Sequence, residues 1–381
     1  MHIDSKLPKV GTTIFTRMSQ LAAEKNAINL SQGFPDFDSP RELLERVNFY
    51  LQQGLNQYAP MTGAPSLRQA IAEKTQRCYD VLPDAESEIT VTSGATEAIF
   101  AAISAVIRQG DEVIVFDPAY DSYEPAIELN GGTAVHLQLN SGDFSLPLDT
   151  LAQAINTRTR MVIINSPHNP SGAVLSETEL DGLEKLLAGT EILLLSDEVY
   201  EHIYFNGSQH HSVLTRPALA SRSFVVSSFG KTLHTTGWKL GYCVAPEALS
   251  KELRKVHQYL TFSSVHPMQC AVADYLQTHP EHYLQLPAFY EAKRDLFCSL
   301  MQKSRFKFST TAGTYFQLMD YSAIDDQKSD IEFADWLTEQ GVAAIPISVF
   351  YQQPPAQKLI RFCFAKEDNT LEKAAEILCK I

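Results

Sequence analysis

The stretch Phe224-Val225-Val226-Ser227-Ser228-Phe229-Gly230-Lys231-Thr232 has two readings, and the choice between them decides the fold. An apolar, strand-like run ends in a glycine followed by a lysine, which holds the lysine close to the backbone with its amine directed into a cleft. The Gly230-Lys231-Thr232 triplet imitates the end of a phosphate-binding P-loop, but that loop needs a glycine where Val225 stands. What remains is an amine suited to covalent chemistry, able to form a Schiff base with an aldehyde.

On either side of this stretch, from about residue 88 to 245, short β-rich runs alternate with helical segments. The runs are 89–92, 113–116, 134–137, 161–164, 192–195 and 224–226. Several are apolar on both faces, as a covered parallel sheet requires, so an α/β domain is expected. Thr96-Glu97 opens an Ala-rich helix ending near Gly110, and Ser176-Glu177-Thr178-Glu179 starts another. After residue 247 the pattern is mainly helical (249–259, 268–277, 289–302). It then turns mixed, with strand-like 314–318 and 359–364 and a closing helix over 370–378. Residues 1–40 read as loop, with turns from Gly33 to Pro40. The expected organisation is a 1–40 segment packing with the small domain, a large domain over 41–275, and a small α+β domain over 276–381.

Composition narrows the function. The 381 residues carry a net charge of −14 and contain no run of eighteen apolar residues, which argues against nucleic-acid and membrane partners and for small-molecule substrates. The first six residues lack the basic start and apolar stretch of a secretory signal, so a cytoplasmic protein is expected. Cys78, Cys243, Cys270, Cys298, Cys363 and Cys379 are scattered without CxxC pairs and read as reduced core thiols, with no metal site. There is no GxGxxG and no GxSxG. His210-His211 and His279-Pro280-Glu281-His282 lack HExxH spacing and read as solvated or loop histidines.

Asn165-Ser166-Pro167-His168-Asn169-Pro170-Ser171-Gly172, Ser196-Asp197-Glu198-Val199-Tyr200 and Ser228-Phe229-Gly230-Lys231 together resemble the class I aminotransferases of pyridoxal-phosphate fold type I. The resemblance runs from Asn29-Leu30-Ser31-Gln32-Gly33 to Arg361. Ser31-Gln32-Gly33-Phe34-Pro35-Asp36-Phe37, Asn56-Gln57-Tyr58-Ala59-Pro60-Met61-Thr62-Gly63 and His257-Gln258-Tyr259-Leu260-Thr261-Phe262 are similar to the methionine, kynurenine and glutamine-type subgroup.

The resemblance implies a large, mostly parallel sheet domain sandwiched by helices, a smaller α+β domain, and pyridoxal 5'-phosphate as cofactor. It also implies amino-acid and 2-oxo-acid substrates exchanged in a ping-pong cycle, and a homodimer with active sites shared between subunits. Lys231 would hold the cofactor and then serve as the base at the substrate Cα. Asp197 follows an apolar run and so sits at the carboxyl end of a buried strand, where open α/β sheets place their ligand crevice. A carboxylate there keeps the pyridine nitrogen protonated; a helix cap is the ordinary alternative. Tyr200 and Asn169 would reach the cofactor's phenolic oxygen, although Asn169 before Pro170 also suits a turn.

Ser93, Gly94, Ala95 and Thr96 lie between a strand and a helix, where free N–H groups and the helix dipole attract a phosphate. Ser228 and Lys239 join this cradle by resemblance. Lys239 stands where the family commonly has arginine, keeping the charge and losing the bidentate fork. Tyr58 would reach the phosphate of the neighbouring subunit, or is a local packing tyrosine. Tyr120 would stack on the cofactor ring, or is a core tyrosine. Arg361, an isolated charge among apolar residues, would grip the substrate α-carboxylate, with Asn169 and Gly33 beside it; pairing with a structural acid is its alternative. Phe15, Phe34, Tyr58, Tyr120 and Phe262 are candidates for an apolar side-chain pocket favouring methionine or aromatic donors. The rival functions are a cysteine-conjugate C–S β-lyase and an effector-sensing regulatory domain. The second is disfavoured by the acidic chain and the lack of a helix-turn-helix ahead of Gly33. His234 and His266 lie near these residues in sequence and have no assigned role.

Overall fold

The apolar runs become strands because most are too short for a helix and too apolar for a surface. In the computed structural model, which describes residues 3–381, Met1 and His2 of the expected 1–40 segment lie outside the described residues. A short strand β1 (Ile28–Asn29) comes first. Then β2 (Ile89–Thr92), β3 (Glu112–Asp117), β4 (Thr133–Gln138), β5 (Thr159–Asn165), β6 (Leu193–Asp197), β7 (Ser223–Ser228) and β8 (Gly241–Val244) form one sheet, in the order β2-β8-β7-β6-β5-β3-β4. Every pairing is parallel except those of β8, which runs antiparallel to both β2 and β7.

Successive residues of one strand feed opposite cores. Val113 and Val115 pack with helix Gly94–Val106, whereas Ile114 packs with Leu180, Leu183 and Leu187 of helix Glu177–Leu187. The sheet is therefore covered on both faces, as expected. Ser176 caps the second helix and forms the reciprocal capping box with Glu179. Strand β8 was not anticipated: it is four residues long and starts on a glycine. A Cβ at Gly241 would lie 2.7 Å from the Ser227 carbonyl and 2.9 Å from the Ala95 amide, so only glycine lets β8 pass beneath that turn.

Strands β9 (Phe316–Asp320), β10 (Val342–Ala343), β11 (Ile345–Pro346) and β12 (Leu359–Cys363) build the C-terminal part. It contains an antiparallel β11-β12-β9 sheet and a parallel β1-β10 pair. Two expectations need correction. Residues 1–40 are not simply loop: helix Ile14–Lys25 is capped by Thr13, ends on a left-handed Asn26, and buries Met18 and Ala22 one turn apart. Its apolar spacing is short and its partner is remote in sequence, in the core around Phe333 and Leu337. The helix expected to begin at 289 begins at Pro280 and runs to Met301, with proline at its first position and Pro287 inside it. It crosses two cores, since Tyr283 packs with Tyr275 and Leu276 whereas Tyr290 and Phe297 pack with Phe316 and Phe362.

The expectation of solvated or loop histidines holds for His210, which lies in a loop, and fails for His282, which lies in a helix. His210 is buried with Nε2 3.0 Å from Glu198 Oε2, and His282, on the long helix, donates from Nε2 to the Thr232 carbonyl at 2.8 Å.

Candidate active site

Strands β5, β6 and β7 end side by side, with Asn165 opposite Asp197 and Asp197 opposite Val226. β7 runs into the single helical turn Phe229–Thr232 that carries Lys231. One cavity at these carboxyl ends is lined by Gly33, Gly94, Ala95, Thr96, Tyr120, Asn169, Asp197, Tyr200, Ser228, Lys231, Lys239 and Arg361, and also by Phe15, Thr236 and Phe316. Residues scattered over more than 300 positions thus converge where the topology of an open sheet predicts a ligand.

Lys231 donates from Nζ to the Gly33 carbonyl at 3.3 Å, and its amine lies 5.5 Å from the ring centres of both Tyr200 and Tyr315. Its acceptor is a carbonyl rather than a carboxylate. Burial, reinforced by Lys239 and Arg361, lowers the amine's pKa to about 8, so a usable fraction is neutral near physiological pH. Asp197 is buried at the end of β6 and accepts from the Tyr123 hydroxyl at 2.6 Å and the Val199 amide at 3.3 Å. Burial raises its carboxyl to about 6, against the pull of these donors.

Arg361 is only 1% exposed. Nη1 donates to Asn169 Oδ1 at 2.7 Å and Nη2 to the Ser31 carbonyl at 3.1 Å, while Nε has no partner. The guanidinium lies 3.8 Å from the centre of the Phe316 ring, and burial brings its pKa down to about 10. Its partners are amide and carbonyl oxygens rather than a structural acid. Asn169 is itself held by Asn165, whose Oδ1 accepts the Asn169 amide at 2.8 Å and whose Nδ2 donates to the Asp197 carbonyl at 2.8 Å.

Helix Gly94–Val106 points its first turn into the cavity. Lys239, in the left-handed region with φ 52°, folds over that turn: a Cβ on Gly94 would lie 3.5 Å from Lys239 Nζ. An uncapped helix N-terminus beneath an ammonium is an anion site. Ser93 precedes the first turn of that helix. Its hydroxyl is 3.2 Å from Ser264 Oγ and its amide bonds Glu97, so its side chain turns away from the cavity lining. Tyr58 is 81% exposed, lies edge-on to Phe262 at 5.1 Å, and does not line its own chain's cavity; nor do Phe34 and Phe262.

His266 bonds the Gln57 carbonyl and His234 packs edge-on to Phe37 and Tyr290, so neither lines the cavity. Tyr123, Tyr315, Phe316 and Thr236 were not singled out by sequence. Only Tyr123 left a trace there, as a second tyrosine one turn after Tyr120.

The arrangement fits pyridoxal phosphate on three observations. There is a half-buried amine without a carboxylate acceptor, a buried carboxylate with lone pairs free for a ring nitrogen, and a helix N-terminus kept clear by Gly94 beneath Lys239. A match to the family described as aminotransferase class I and II spans residues 25–378. The chain is 56% identical to methionine aminotransferase of Escherichia coli strain K12, over 98% of this chain and 97% of that protein. It is 34% identical to human kynurenine–oxoglutarate transaminase 3, over 98% of this chain and 89% of the relative. The solved structure of YbdL from Escherichia coli, identified as having a methionine aminotransferase function, superposes with a TM-score of 0.98 at 55% identity over 100% of both chains. The chain belongs to the class I and II aminotransferases.

Proposed function

We propose that this pyridoxal-phosphate-dependent aminotransferase takes methionine or an aromatic amino acid as donor and a 2-oxo acid as acceptor, with the roles expected of Lys231, Asp197, Tyr200, Asn169 and Arg361. The observation that carries the reading is the half-buried Lys231 amine, set on a carbonyl acceptor in one cavity with Asp197 and Arg361. When bound, the cofactor supplies an aldehyde for imine chemistry and a protonated ring that withdraws electrons from the substrate Cα. The chain's own residues do the rest. Arg361 turns its guanidinium to the substrate carboxylate and fixes the orientation of the Cα–H bond. Lys231, neutral in part, takes the Cα proton on Nζ and returns it. Asp197 would hold the cofactor's ring nitrogen in its protonated form, and Tyr200 and Asn169 would serve its phenolic oxygen.

The donor preference is supported by Phe15 and Phe316, which flank Arg361 at 5.4 and 3.8 Å, and by the similarity to methionine aminotransferase. A homodimer with shared sites belongs to the same reading. It is supported by the exposure of Tyr58 together with Tyr259, Leu260 and Val265, apolar side chains that a second subunit would cover. The domain division at 41 and 276 is proposed on the bonds that tie the N-terminal segment to the C-terminal part, Cys363 amide to Leu30 carbonyl at 2.8 Å and Lys366 Nζ to Phe34 carbonyl at 2.8 Å. A cytoplasmic location is proposed on six free cysteines. The test is a panel of amino-acid donors with a visible spectrum before and after methionine. Methionine or aromatic donors should bleach the cofactor band and give ping-pong kinetics, and a clear preference for aspartate rejects the reading.

A further inference from the structure

We propose that Tyr123 is a positioning residue for the reaction: its hydroxyl, bonded to Asp197, keeps that carboxylate ionised and therefore able to hold the cofactor's ring nitrogen protonated. The inference rests on the role given to Asp197 above. A carboxylate 3% exposed at the end of a buried strand is driven toward its neutral form, and a neutral acid gives the ring nitrogen no counter-charge.

Two donors oppose that drive. The Tyr123 hydroxyl is the closer, at 2.6 Å from Oδ2, against 3.3 Å from the Val199 amide to Oδ1. The charged and titratable groups facing Asp197 from its surroundings are Lys231 from the turn after β7, Glu198 next on its own chain segment, and Tyr120 from the loop after β3. Lys231 favours the ionised form, and Glu198 opposes it. Neither donates a hydrogen bond to it, whereas Tyr123 does.

Tyr123 is built to stay in place and to stay a donor. It is 4% exposed and begins helix Tyr123–Leu129, with its amide on the Tyr120 carbonyl at 3.2 Å and its ring edge-on to Tyr120 at 5.7 Å and 77°. Burial next to Asp197 pushes the phenol pKa well up, so it keeps its proton throughout the working range. The same tyrosine therefore braces the candidate ring-stacking residue and the candidate ring-nitrogen partner.

The test titrates Asp197 in the cofactor-free protein by NMR with carbon-13 at the aspartate carboxyls, its signal assigned by loss in Asp197→Asn. Tyr123→Phe should raise the Asp197 pKa by about one, the consequence of losing one hydrogen bond to the charged form. A ring-fluorinated tyrosine at 123, more acidic and so a stronger donor, should lower it, and this near-isosteric arm decides the matter if Tyr123→Phe does not fold. In the loaded enzyme Tyr123→Phe should reduce kcat about tenfold with KM within twofold. A lower Tm with an unchanged Asp197 titration overturns the proposal. Full activity in Asp197→Asn instead removes the assigned role of Asp197, and it does so without altering what Tyr123 does to the titration.

Discussion

Two buried lysine and carboxylate sets sit within one sheet's reach of each other, and they behave in opposite ways. Lys74 Nζ lies 2.8 Å from Glu201 Oε2 and 3.0 Å from the Tyr242 hydroxyl, and Glu201 also accepts from Tyr79 at 2.6 Å, from Tyr242 at 2.9 Å and from Ser227. Burial penalises both charges, but their mutual attraction wins: the Lys74 ammonium is held well above its ordinary pKa and the Glu201 carboxyl well below its own. Asp197 is as deeply buried as Glu201 and Lys231 is half-buried, but they lack that pairing, so desolvation wins and brings Lys231 to about 8 and Asp197 to about 6. Burial alone therefore does not mark a functional group. An ionisable group left without its counter-charge does, because it is ready to exchange a proton.

The comparison breaks first at Lys231. Lys231→Met should lose all turnover measured by amino-donor assay, and retained activity would end the mechanism. The same variant should stabilise the cofactor-free protein. Lys231 binds its proton less tightly folded than unfolded, so its cost is fully present below about pH 8 and is relieved as pH rises toward 10.5. The gain is roughly 3 kcal/mol at neutral pH, read from urea unfolding.

Glu201→Gln should do the reverse, destabilising by about 3–5 kcal/mol because Lys74 is left as an unpaired buried cation. Unfolding unchanged by this substitution would show the pair to be idle. Asp197→Asn should stabilise the cofactor-free protein by roughly 3 kcal/mol above pH 6. Its folded carboxyl holds the proton more tightly than the unfolded one, so stability from this group falls as pH rises from about 4 through 6, and below that window the variant and the parent should coincide. Arg361→Ala should raise KM for both substrates by about thirtyfold, or roughly 2 kcal/mol, with a smaller change in kcat. Smallest of all, Ser93→Ala should change cofactor affinity less than about twofold, since the hydroxyl faces Ser264; a tenfold loss would return Ser93 to the cradle.

Much of this contrast was legible along the chain, and the reasons it was only partial are physical. Asp197 and Lys231 stand at the ends of apolar runs, so a parallel sheet brings them together whatever the rest does. Arg361 is conspicuous as a charge in an apolar strand. The Lys74 and Glu201 pairing had no such signal, because a lysine in a polar-looking helix declares nothing about the turn residue 127 positions on that meets it. Phe316 beneath Arg361 and Tyr315 on the Gly33 carbonyl were hidden for the same reason, as packing partners set by the second sheet. The helix Ile14–Lys25 was missed because its apolar face is three turns long and is completed mainly by residues beyond 330. The position of Ser93 at a helix start says where its backbone lies and not which way its hydroxyl turns.

The pairing of Ile28 with Val342 and of Leu30 with Cys363 bears on the order in which the protein assembles. The segment that carries Gly33 leaves the ribosome more than 300 residues ahead of its strand partner. Closing so long a loop is entropically unfavourable until the C-terminal core exists to receive it. The seven-stranded sheet can form before that moment, with Lys231 and Asp197 already in position, while the carbonyl that receives the Lys231 amine is still absent. The site is thus completed last, by a segment made before the sheet that waits for it.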